Sequence, residues 1–402
     1  MRITQVKTHL LTAHWAADPW FPQMLHSTAI IRIETDVGID GLGEVTWGYF
    51  APDAVPAMVE YFRPLLVGRD PSNLAGLTRA LCDNSVWWAR SGAGRSVISG
   101  IEMALWDLWG KSLGLPVYKL LGGAMRERVP VYASGGTLWW PVEESVRKVV
   151  HYAEHGYRAA KLSAQFYDFN PNQKVGAQER LHTHPFPFAE KLKRLADCIA
   201  QLRRAVGDGM DLAFDGHQGG VPNPIPVAEA IALAEAIAPY RPRFYEEPLA
   251  YTNLEGYRDL RAASRVPIAG GESLCGLDQF HTLISGRAVD LIQPDVGFVG
   301  GIGETVRVMH HAEAHNLRTA LHTGASAGPC LAASWHLAAA TESIEWLEHV
   351  YAASDIHRDL LIDEFKVKDG TIALPEAPGL GVRLTDKILE KYRFVPNSGE
   401  RT

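Results

Sequence analysis

The stretch LAFDGHQ, residues 212–218, is an apolar run that ends abruptly in an acid, a glycine and a histidine. A short apolar run of this kind is typical of a buried β-strand in a parallel sheet. Side chains two residues apart in a strand share a face, so Asp215 and His217 are expected to point the same way. The stretch therefore predicts a buried strand that brings a carboxylate and an imidazole together at its end.

The chain repeats one unit from about residue 126 onward. Each unit is an apolar strand followed by polar or glycine residues and an amphipathic helix. In 142–155, for example, apolar residues form one helical stripe and Gly156 stands where a C-cap glycine belongs. Eight units over about 225 residues predict a closed α/β architecture, the (β/α)8 TIM barrel. A doubly wound open sheet is the alternative, but no G-x-G-x-x-G follows the first strand. The predicted strands are 129–136, 159–165, 211–217, 243–249, 267–273, 291–297, 318–324 and 344–350.

Three regions are expected along the chain. Residues 1–125, with a hairpin pattern in 27–47, predict an N-terminal α+β capping domain, and 126–354 form the catalytic barrel. Residues 355–402 are too few to bury a core alone and are expected to pack back on the capping domain.

The composition favours a small-molecule enzyme. The chain has 402 residues and a net charge of −7, and its basic residues are scattered, so neither nucleic acid nor a membrane is an expected partner. Four widely spaced cysteines without a C-x-x-C motif argue against a zinc knuckle or a disulfide framework. The N-terminus lacks a signal-peptide pattern, so a soluble, cytoplasmic protein is expected.

Polar residues, most of them ionisable, end almost every predicted strand, and barrel active sites lie at the C-terminal ends of the strands. A single acid in this position is more often a helix N-cap or a solvated charge. A run of such residues over consecutive strands favours an active site instead. These residues are Lys161, Ser163, Asp215, His217, Glu246, Glu247, Glu272, Asp295, His322 and Glu348.

Three carboxylates that end consecutive strands, Asp215, Glu246 and Glu272, predict a metal site. Without a cation they would repel one another and raise one another's pKa. All-oxygen ligation favours a hard divalent ion, Mg²⁺ before Mn²⁺ or Ca²⁺. Glu246 is preferred to Glu247 because alternation lets only one of the two face inward.

Asp295 and His322 end neighbouring strands and predict a general base. A carboxylate beside an imidazole fixes its tautomer and raises its basicity. A buried structural hydrogen bond is the alternative for an isolated pair, but a neighbouring metal triad favours the base.

The motifs YEEP (245–248), GGES (270–273), IQPD (292–295), ALHTG (320–324) and WLE (346–348) together resemble the enolase superfamily, mandelate racemase subgroup. The segment ALWDLWGKSLGLPVYKLLGG (104–123) extends this resemblance to the whole chain. The resemblance implies Mg²⁺ at Asp215, Glu246 and Glu272, an Asp295–His322 base, and a hydrogen bond from Glu348 to a substrate carboxylate that becomes an enediolate. It also implies a homo-oligomer.

The chain departs from the subgroup at Lys161-Leu162-Ser163, where the family often carries Lys-x-Lys. Two-base racemisation is therefore not expected, because a serine hydroxyl without a partner is no base for a carbon acid. Lys161 is expected to stabilise the substrate carboxylate, with structural pairing to the metal carboxylates as the alternative.

Within the superfamily, the Asp-x-His of Asp215 and His217 resembles sugar-acid dehydratases of the galactonate and gluconate type. The resemblance implies that His322 removes an α-proton and His217 protonates the departing β-hydroxyl, giving a 2-keto-3-deoxy acid from an aldonate or aldarate. A fourth metal ligand is the competing role for His217. An epimerase, racemase or cycloisomerase using the same enediolate is the second enzyme hypothesis, and a non-catalytic binding barrel is the third.

Substrate specificity is expected to come from loops above the rim of the barrel, at the C-terminal ends of its strands. The long polar connection 166–187 is predicted to be a lid, and aromatic residues of the N-terminal region are expected to close over the site. The residues predicted to bind substrate are Trp15, His26, Trp47, Ser163, Arg180 and His182.

Overall fold

The computed structural model of the chain describes residues 1–14, 25–138, 140–164, 187–221, 224–324, 326–351 and 355–399. Three residues predicted to bind substrate, Trp15, Arg180 and His182, lie outside this described part, as does nearly all of the predicted lid.

The N-terminal region is an antiparallel sheet packed on helices. Its strands β1 (Ile3–His14), β2 (Leu25–Thr35) and β3 (Asp40–Val45) pair in the order β1-β2-β3. The longest helix, α3, packs directly on β3, where a Cβ at Gly43 would overlap the carbonyl oxygen of Gly100. The helices are α1 (Val55–Leu66), α2 (Leu74–Asp83), α3 (Gly92–Leu113) and α4 (Val117–Leu120), with 3-10 turns at Thr46–Tyr49 and Pro52–Ala54.

Within the described residues, eight parallel strands form a closed barrel, because β11 pairs with β4 as well as with β10. The predicted barrel and all eight predicted strands are confirmed, although several ladders are shorter than predicted. The two shortest, at 245–246 and 291–292, have two residues each. The strands are β4 (Val129–Thr137), β5 (Ala159–Ser163), β6 (Asp211–Asp215), β7 (Tyr245–Glu246), β8 (Ile268–Gly270), β9 (Leu291–Ile292), β10 (Arg318–Leu321) and β11 (Ile344–Val350).

Helices connect the strands on the outside of the barrel. Helix α5 covers the predicted segment, and Gly156 beyond it adopts a left-handed φ of 88°, as a residue after a helix C-terminus often does. The helices are α5 (Val142–Glu154), α6 (Phe188–Val206), α7 (Val227–Ile237), α8 (Leu254–Ala263), α9 (Gly276–Ser285), α10 (Val296–Val299), α11 (Ile302–Ala314) and α12 (Pro329–Ala340), with 3-10 turns at Gly207–Gly209 and Ala238–Tyr240.

The C-terminal segment comprises α13 (Asp355–Leu360), β12 (Thr371–Ile372) and α14 (Asp386–Lys391). Strand β12 pairs antiparallel with β4 of the barrel. The N–H of Thr12 donates to the carbonyl of Tyr392, so the same segment also contacts β1 of the N-terminal sheet.

A buried carboxylate joins the N-terminal sheet to the barrel. Glu44, at the end of β3, accepts hydrogen bonds from backbone N–H groups at the start of α12, where the positive end of the helix dipole favours an anion. The donors are Ala327, Gly328 and Cys330, at 2.7, 3.0 and 3.0 Å. The capping region is thereby held against the C-terminal rim of the barrel.

The barrel interior has two stacked layers. An apolar cluster fills the N-terminal end and contains Tyr132, Ala159, Ala213, Phe244, Ala269, Leu291, Ala320 and the partly buried Trp346. Two residues further along seven of these eight strands come Ser134, Lys161, Asp215, Glu246, Gln293, His322 and Glu348. Side chains two apart share a face, so the polar layer stands above the apolar one.

Two further observations concern the chain as a whole. The four cysteines form no disulfides. Among the described helices, none combines the length and the apolar character that a membrane crossing requires.

Candidate active site

Strand register aligns the polar residues of the rim. Asp215 lies opposite Ser163 on one side and opposite Glu246 on the other. Asp295 and His322 face each other across a parallel bridge just beyond β9 and β10. The predicted residues therefore meet at one rim because each follows or ends its own strand at a similar depth.

Lys161 binds three of the rim carboxylates. Its Nζ lies 2.6 Å from Glu246 Oε1 and 3.0 Å from Glu348 Oε1. The distance from Nζ to Asp215 Oδ2 is 3.2 Å. Burial opposes the positive charge, but Glu246 and Glu348 outweigh it and hold the pKa of Lys161 well above its usual value. Lys161 is therefore a fixed cation at the centre of the site.

Glu348 is held as an ionised carboxylate in this arrangement. Burial favours its neutral form, but Lys161 and His322 lower its pKa to about 2. The N–H of Thr323 donates to Glu348 Oε2 at 2.8 Å, which also favours the charged form. An ionised carboxylate accepts hydrogen bonds and cannot donate one.

Asp295 and His322 form the predicted pair. His322 Nδ1 lies 2.8 Å from Asp295 Oδ2, and the N–H of Gly297 donates to Asp295 Oδ1 at 2.7 Å. A Cβ at Gly297 would overlap the hydroxyl of Thr46, so the N-terminal region packs directly on the turn that holds Asp295. With Nδ1 engaged by the aspartate, the Nε2 atom of His322 lies 3.3 Å from Glu272 Oε2 and 3.7 Å from Glu348 Oε2.

The rim carries more carboxyl groups than basic groups. Burial, and then repulsion by Asp215, raises the pKa of Glu246 well above its usual value. Within the described residues, Glu272 Oε2 is buried and accepts no hydrogen bond, although His322 Nε2 lies 3.3 Å away. One oxygen of Glu246, one oxygen of Glu272 and one ring nitrogen of His322 lie within 4.8 Å of one another. Crowded carboxylates, one of them with a buried oxygen that accepts no hydrogen bond, fit a hard divalent cation.

The structure groups the three predicted metal ligands around Glu246. Asp215 and Glu246 share Lys161, whereas Glu246 and Glu272 lie together with His322. Glu246 is thus common to both groups.

The side chain of Glu247 lies apart from that of Glu246. Its φ is 36°, so the backbone turns after Glu246 and the Glu247 side chain lies against the loop after β6. A Cβ at Gly219 would overlap the Glu247 carboxylate, which shows how closely the two pack. Burial and the Glu272 charge raise the pKa of Glu247 well above its usual value.

The prediction that His217 continues the strand is wrong. Strand β6 ends at Asp215, and His217 adopts a left-handed φ of 46°, which is uncommon for a residue with a side chain. The turn nevertheless returns the imidazole to Asp215, with His217 Nε2 at 3.1 Å from Asp215 Oδ2. Its Nδ1 lies 3.2 Å from the hydroxyl of Ser163. The His217 side chain is 43% exposed and so reaches the open side of the rim.

The expectation that His26 lies in a loop is also wrong. His26 is buried within β2, where its ring contacts Tyr49 and His357, because β2 begins earlier than the hairpin pattern indicated. Trp47 lies in a 3-10 turn, and its ring centroid is 6.4 Å from that of Phe298 in α10.

Gln293 is a site residue that the sequence analysis missed. Its Nε2 donates to Glu246 Oε2 at 2.5 Å, so Glu246 is held from both sides by Gln293 and Lys161. Gln293 stands two residues before Asp295, and the period of two in the predicted strand 291–297 is the signal that could have identified it.

Comparison with known proteins identifies the family. Residues 143–388 match the family described as enolase C-terminal domain-like, and residues 22–122 match the mandelate racemase / muconate lactonizing enzyme N-terminal domain. The chain therefore belongs to the enolase superfamily, in the mandelate racemase group, and the resemblance inferred from its motifs is confirmed.

The names of individual relatives indicate which reactions similar members of this family catalyse. The D-gluconate dehydratase of Thermoproteus tenax is 32% identical over 92% of this chain and 70% of its own length. The D-galactonate dehydratase of Xanthomonas euvesicatoria pv. vesicatoria is 31% identical over 98% of this chain and 95% of its own length. A crystal structure of the 3,6-anhydro-D-galactonate cycloisomerase from Zobellia galactanivorans matches with a TM-score of 0.81 and 27% identity, covering 98% of this chain and 99% of that one. The prediction of an enzyme is thus confirmed, and its named relatives include hydro-lyases.

Proposed function

We propose that the protein is a Mg²⁺-dependent dehydratase of a sugar acid, an aldonate or aldarate, that forms a 2-keto-3-deoxy acid. The observation that carries this proposal is the pair of imidazoles at one rim, His322 on its aspartate and His217 on the opposite flank beside Asp215. Loss of water needs one group that removes a proton from carbon and one that protonates the departing hydroxyl.

The metal is proposed to bind through Asp215, Glu246 and Glu272. The excess of carboxyl groups and the buried Glu272 oxygen that accepts no hydrogen bond support this assignment, and the all-oxygen set favours Mg²⁺. When bound, Mg²⁺ supplies positive charge to the substrate carboxylate as that group gains negative charge. Lys161 and Gln293 keep the two oxygens of Glu246 in place.

His322 is proposed to remove the α-proton. Asp295 holds Nδ1, so the proton is received at Nε2, the atom that faces the rim. Lys161, buried and charged, lies on the same rim and stabilises the carboxylate as it becomes an enediolate. The hydrogen bond expected from Glu348 to the substrate requires a protonated carboxyl group, which Lys161 disfavours. We therefore assign Glu348 the role of holding Lys161 in place.

His217 is proposed to protonate the β-hydroxyl as the C–O bond breaks. The left-handed turn and the contacts to Asp215 and Ser163 hold its ring on the open flank, opposite the Asp295–His322 pair. Elimination then leaves an enol, which tautomerises to the 2-keto-3-deoxy acid. Ser163 thus has a positioning role in place of the second lysine of the subgroup.

The test is a screen of mono- and diacid sugars, D-gluconate and D-galactonate among them, with Mg²⁺ present. A 2-keto-3-deoxy product, detected by its reaction with semicarbazide, is the expected result. Exchange of the α-proton with solvent without loss of water would instead indicate an epimerase or cycloisomerase. Absence of both exchange and product for every acid would favour a non-catalytic barrel.

A further inference from the structure

Histidines cluster on the outer surface of the barrel, on two helices that pack side by side. His281 lies on α9 and His311 lies on α11, and His315 directly follows the last residue of α11. The ring centroids of His281 and His311 are 5.1 Å apart, and those of His311 and His315 are 4.6 Å apart. None of these residues takes part in the proposed reaction.

The ligand atoms of two of these rings already have the spacing of a metal site. His281 Nδ1 and His311 Nε2 are 3.1 Å apart. Two imidazole nitrogens that each lie about 2.1 Å from one ion, at an angle between square and tetrahedral, are separated by about 3.0–3.4 Å. For both lone pairs to face a single ion, one ring must change its tautomer and both rings must rotate away from the line that joins the two nitrogens. The hydroxyl of Ser285, 3.2 Å from His281 Nδ1, must also turn aside.

His315 can supply a third nitrogen once its side chain rotates, since its ring nitrogens do not lie within 4.8 Å of the ligand atoms of both His281 and His311. It follows His311 by four residues and comes directly after the last residue of α11. Its Nδ1 lies 3.0 Å from the carbonyl oxygen of His311 and donates to it, so the lone pair is on Nε2. Burial and the two neighbouring rings lower the pKa of His311, so this ring stays neutral, and able to bind a metal ion, to a lower pH.

The helix ends add a second, electrostatic argument. His281 stands in the last turns of α9, and His311 in the last turn of α11. Two helix C-termini carry partial negative charge toward the same place, and this charge favours a bound cation.

We propose that His281, His311 and His315 form a surface site for a divalent transition ion, Ni²⁺, Cu²⁺ or Zn²⁺, that cross-links the C-terminal turns of α9 and α11. Imidazole ligands suit these ions, whereas Mg²⁺ prefers oxygen. The site is separate from the rim, because α9 starts just beyond Glu272 on the outside of the barrel and His281 lies five residues, about 7.5 Å, further along this helix toward the opposite end. An ion there stabilises the fold without entering the reaction.

The test is calorimetric titration with Ni²⁺ in the presence of excess Mg²⁺, which fills the oxygen site. Wild-type protein is expected to bind one more Ni²⁺ per chain than His281→Gln or His311→Gln. His315→Gln is expected to weaken binding about tenfold. His310→Gln is the matched control, because His310 is exposed on the same helix, and it should bind Ni²⁺ as the wild type does. His155→Gln controls for the separate pair His151 and His155 on α5 and should also leave this site intact.

Unfolding provides an independent reading. Ni²⁺ should raise the unfolding midpoint of the wild type and of His310→Gln, because a ligand that binds the folded state stabilises it, and should not raise that of His311→Gln. The proposal is overturned if wild type, His281→Gln and His311→Gln bind equal numbers of Ni²⁺ ions. Circular dichroism of each variant verifies that the exposed substitutions leave the fold intact.

Discussion

The two ends of the barrel interior are formed by the same strands, but one end is apolar and the other is polar. At the N-terminal end, Phe244 and Leu291 belong to an apolar cluster, whereas two residues later Glu246 and Gln293 form part of a buried polar network. The strand period of two places both layers on the same inward face of the sheet. Substitutions in the lower layer should therefore affect stability, and those in the upper layer should affect turnover.

The largest expected effect concerns the upper layer. Chelation of divalent ions with EDTA should lower turnover of the acid sugar at least ~10³-fold, because the substrate carboxylate loses a stabilising charge of several kcal/mol. Added Mg²⁺ should restore turnover, while circular dichroism stays constant throughout. Unchanged turnover after chelation would show that the three carboxylates do not act as metal ligands in the reaction.

In the lower layer, Phe244→Ala should reduce the free energy of unfolding by about 3–5 kcal/mol, because it leaves a cavity beneath the site. Urea unfolding measures this loss, and the turnover number per folded molecule should change little. Trp87→Ala is the matched control, since Trp87 is 95% exposed, and it should change stability by less than about 0.5 kcal/mol. A large loss of turnover in folded Phe244→Ala would show that the two layers are not independent.

Gln293→Leu tests a single hydrogen bond of the upper layer. Loss of the donor to Glu246 should reduce kcat/KM and the apparent Mg²⁺ affinity by about 10–100-fold, as for other groups that orient metal ligands. The urea midpoint should stay close to that of the wild type, which separates positioning from a general structural defect. The isosteric Gln293→Glu adds another carboxylate and should lower Mg²⁺-free stability further. Unchanged Mg²⁺ affinity in both variants would contradict this role.

A buried histidine outside both layers should produce the smallest effect. Burial lowers the pKa of His336 in α12 to about 3, below the usual 6.5. The unfolded chain therefore binds a proton that the folded chain does not, so stability is complete above pH 6.5 and falls as the pH drops toward 3. Between pH 6.5 and 5 this histidine should lower the free energy of unfolding by about 2 kcal/mol, since each pH unit in this range corresponds to about 1.36 kcal/mol.

His336→Asn removes that titration while keeping an acceptor for the N–H of Tyr118, which donates to His336 Nδ1 at 3.2 Å. Urea unfolding at several pH values should show a shallower acid dependence for this variant than for the wild type. His155→Asn, at an exposed position, should follow the wild type. Parallel pH curves for the wild type and His336→Asn would refute the assignment.

Much of the fold follows from local patterns. The eight apolar runs and the helix ending before Gly156 depend on neighbouring residues alone, so the sequence predicts them. The joint between capping region and barrel was not predictable, since Glu44 meets α12 across more than 280 residues of chain and nothing local marks it as a helix cap.

The candidate site also has some residues that the sequence predicts and others that it does not. Strand ends indicated Lys161, Asp215 and Glu246, because period and position fix where they point. The left-handed turn at His217 and the Ser163 contact to it depend on tertiary packing that overrides the extended preference of the strand. Gln293 was visible in principle, but an amide carries no charge pattern that draws attention to it.

The most direct test of the account is the fate of the substrate α-proton in D₂O. His217→Asn should incorporate deuterium at the α-carbon yet form no 2-keto-3-deoxy product, because the base remains and the acid is lost. His322→Asn should do neither. If His322→Asn still exchanges the α-proton, or if His217→Asn dehydrates the acid sugar at the wild-type rate, the division of labour between the two imidazoles is refuted.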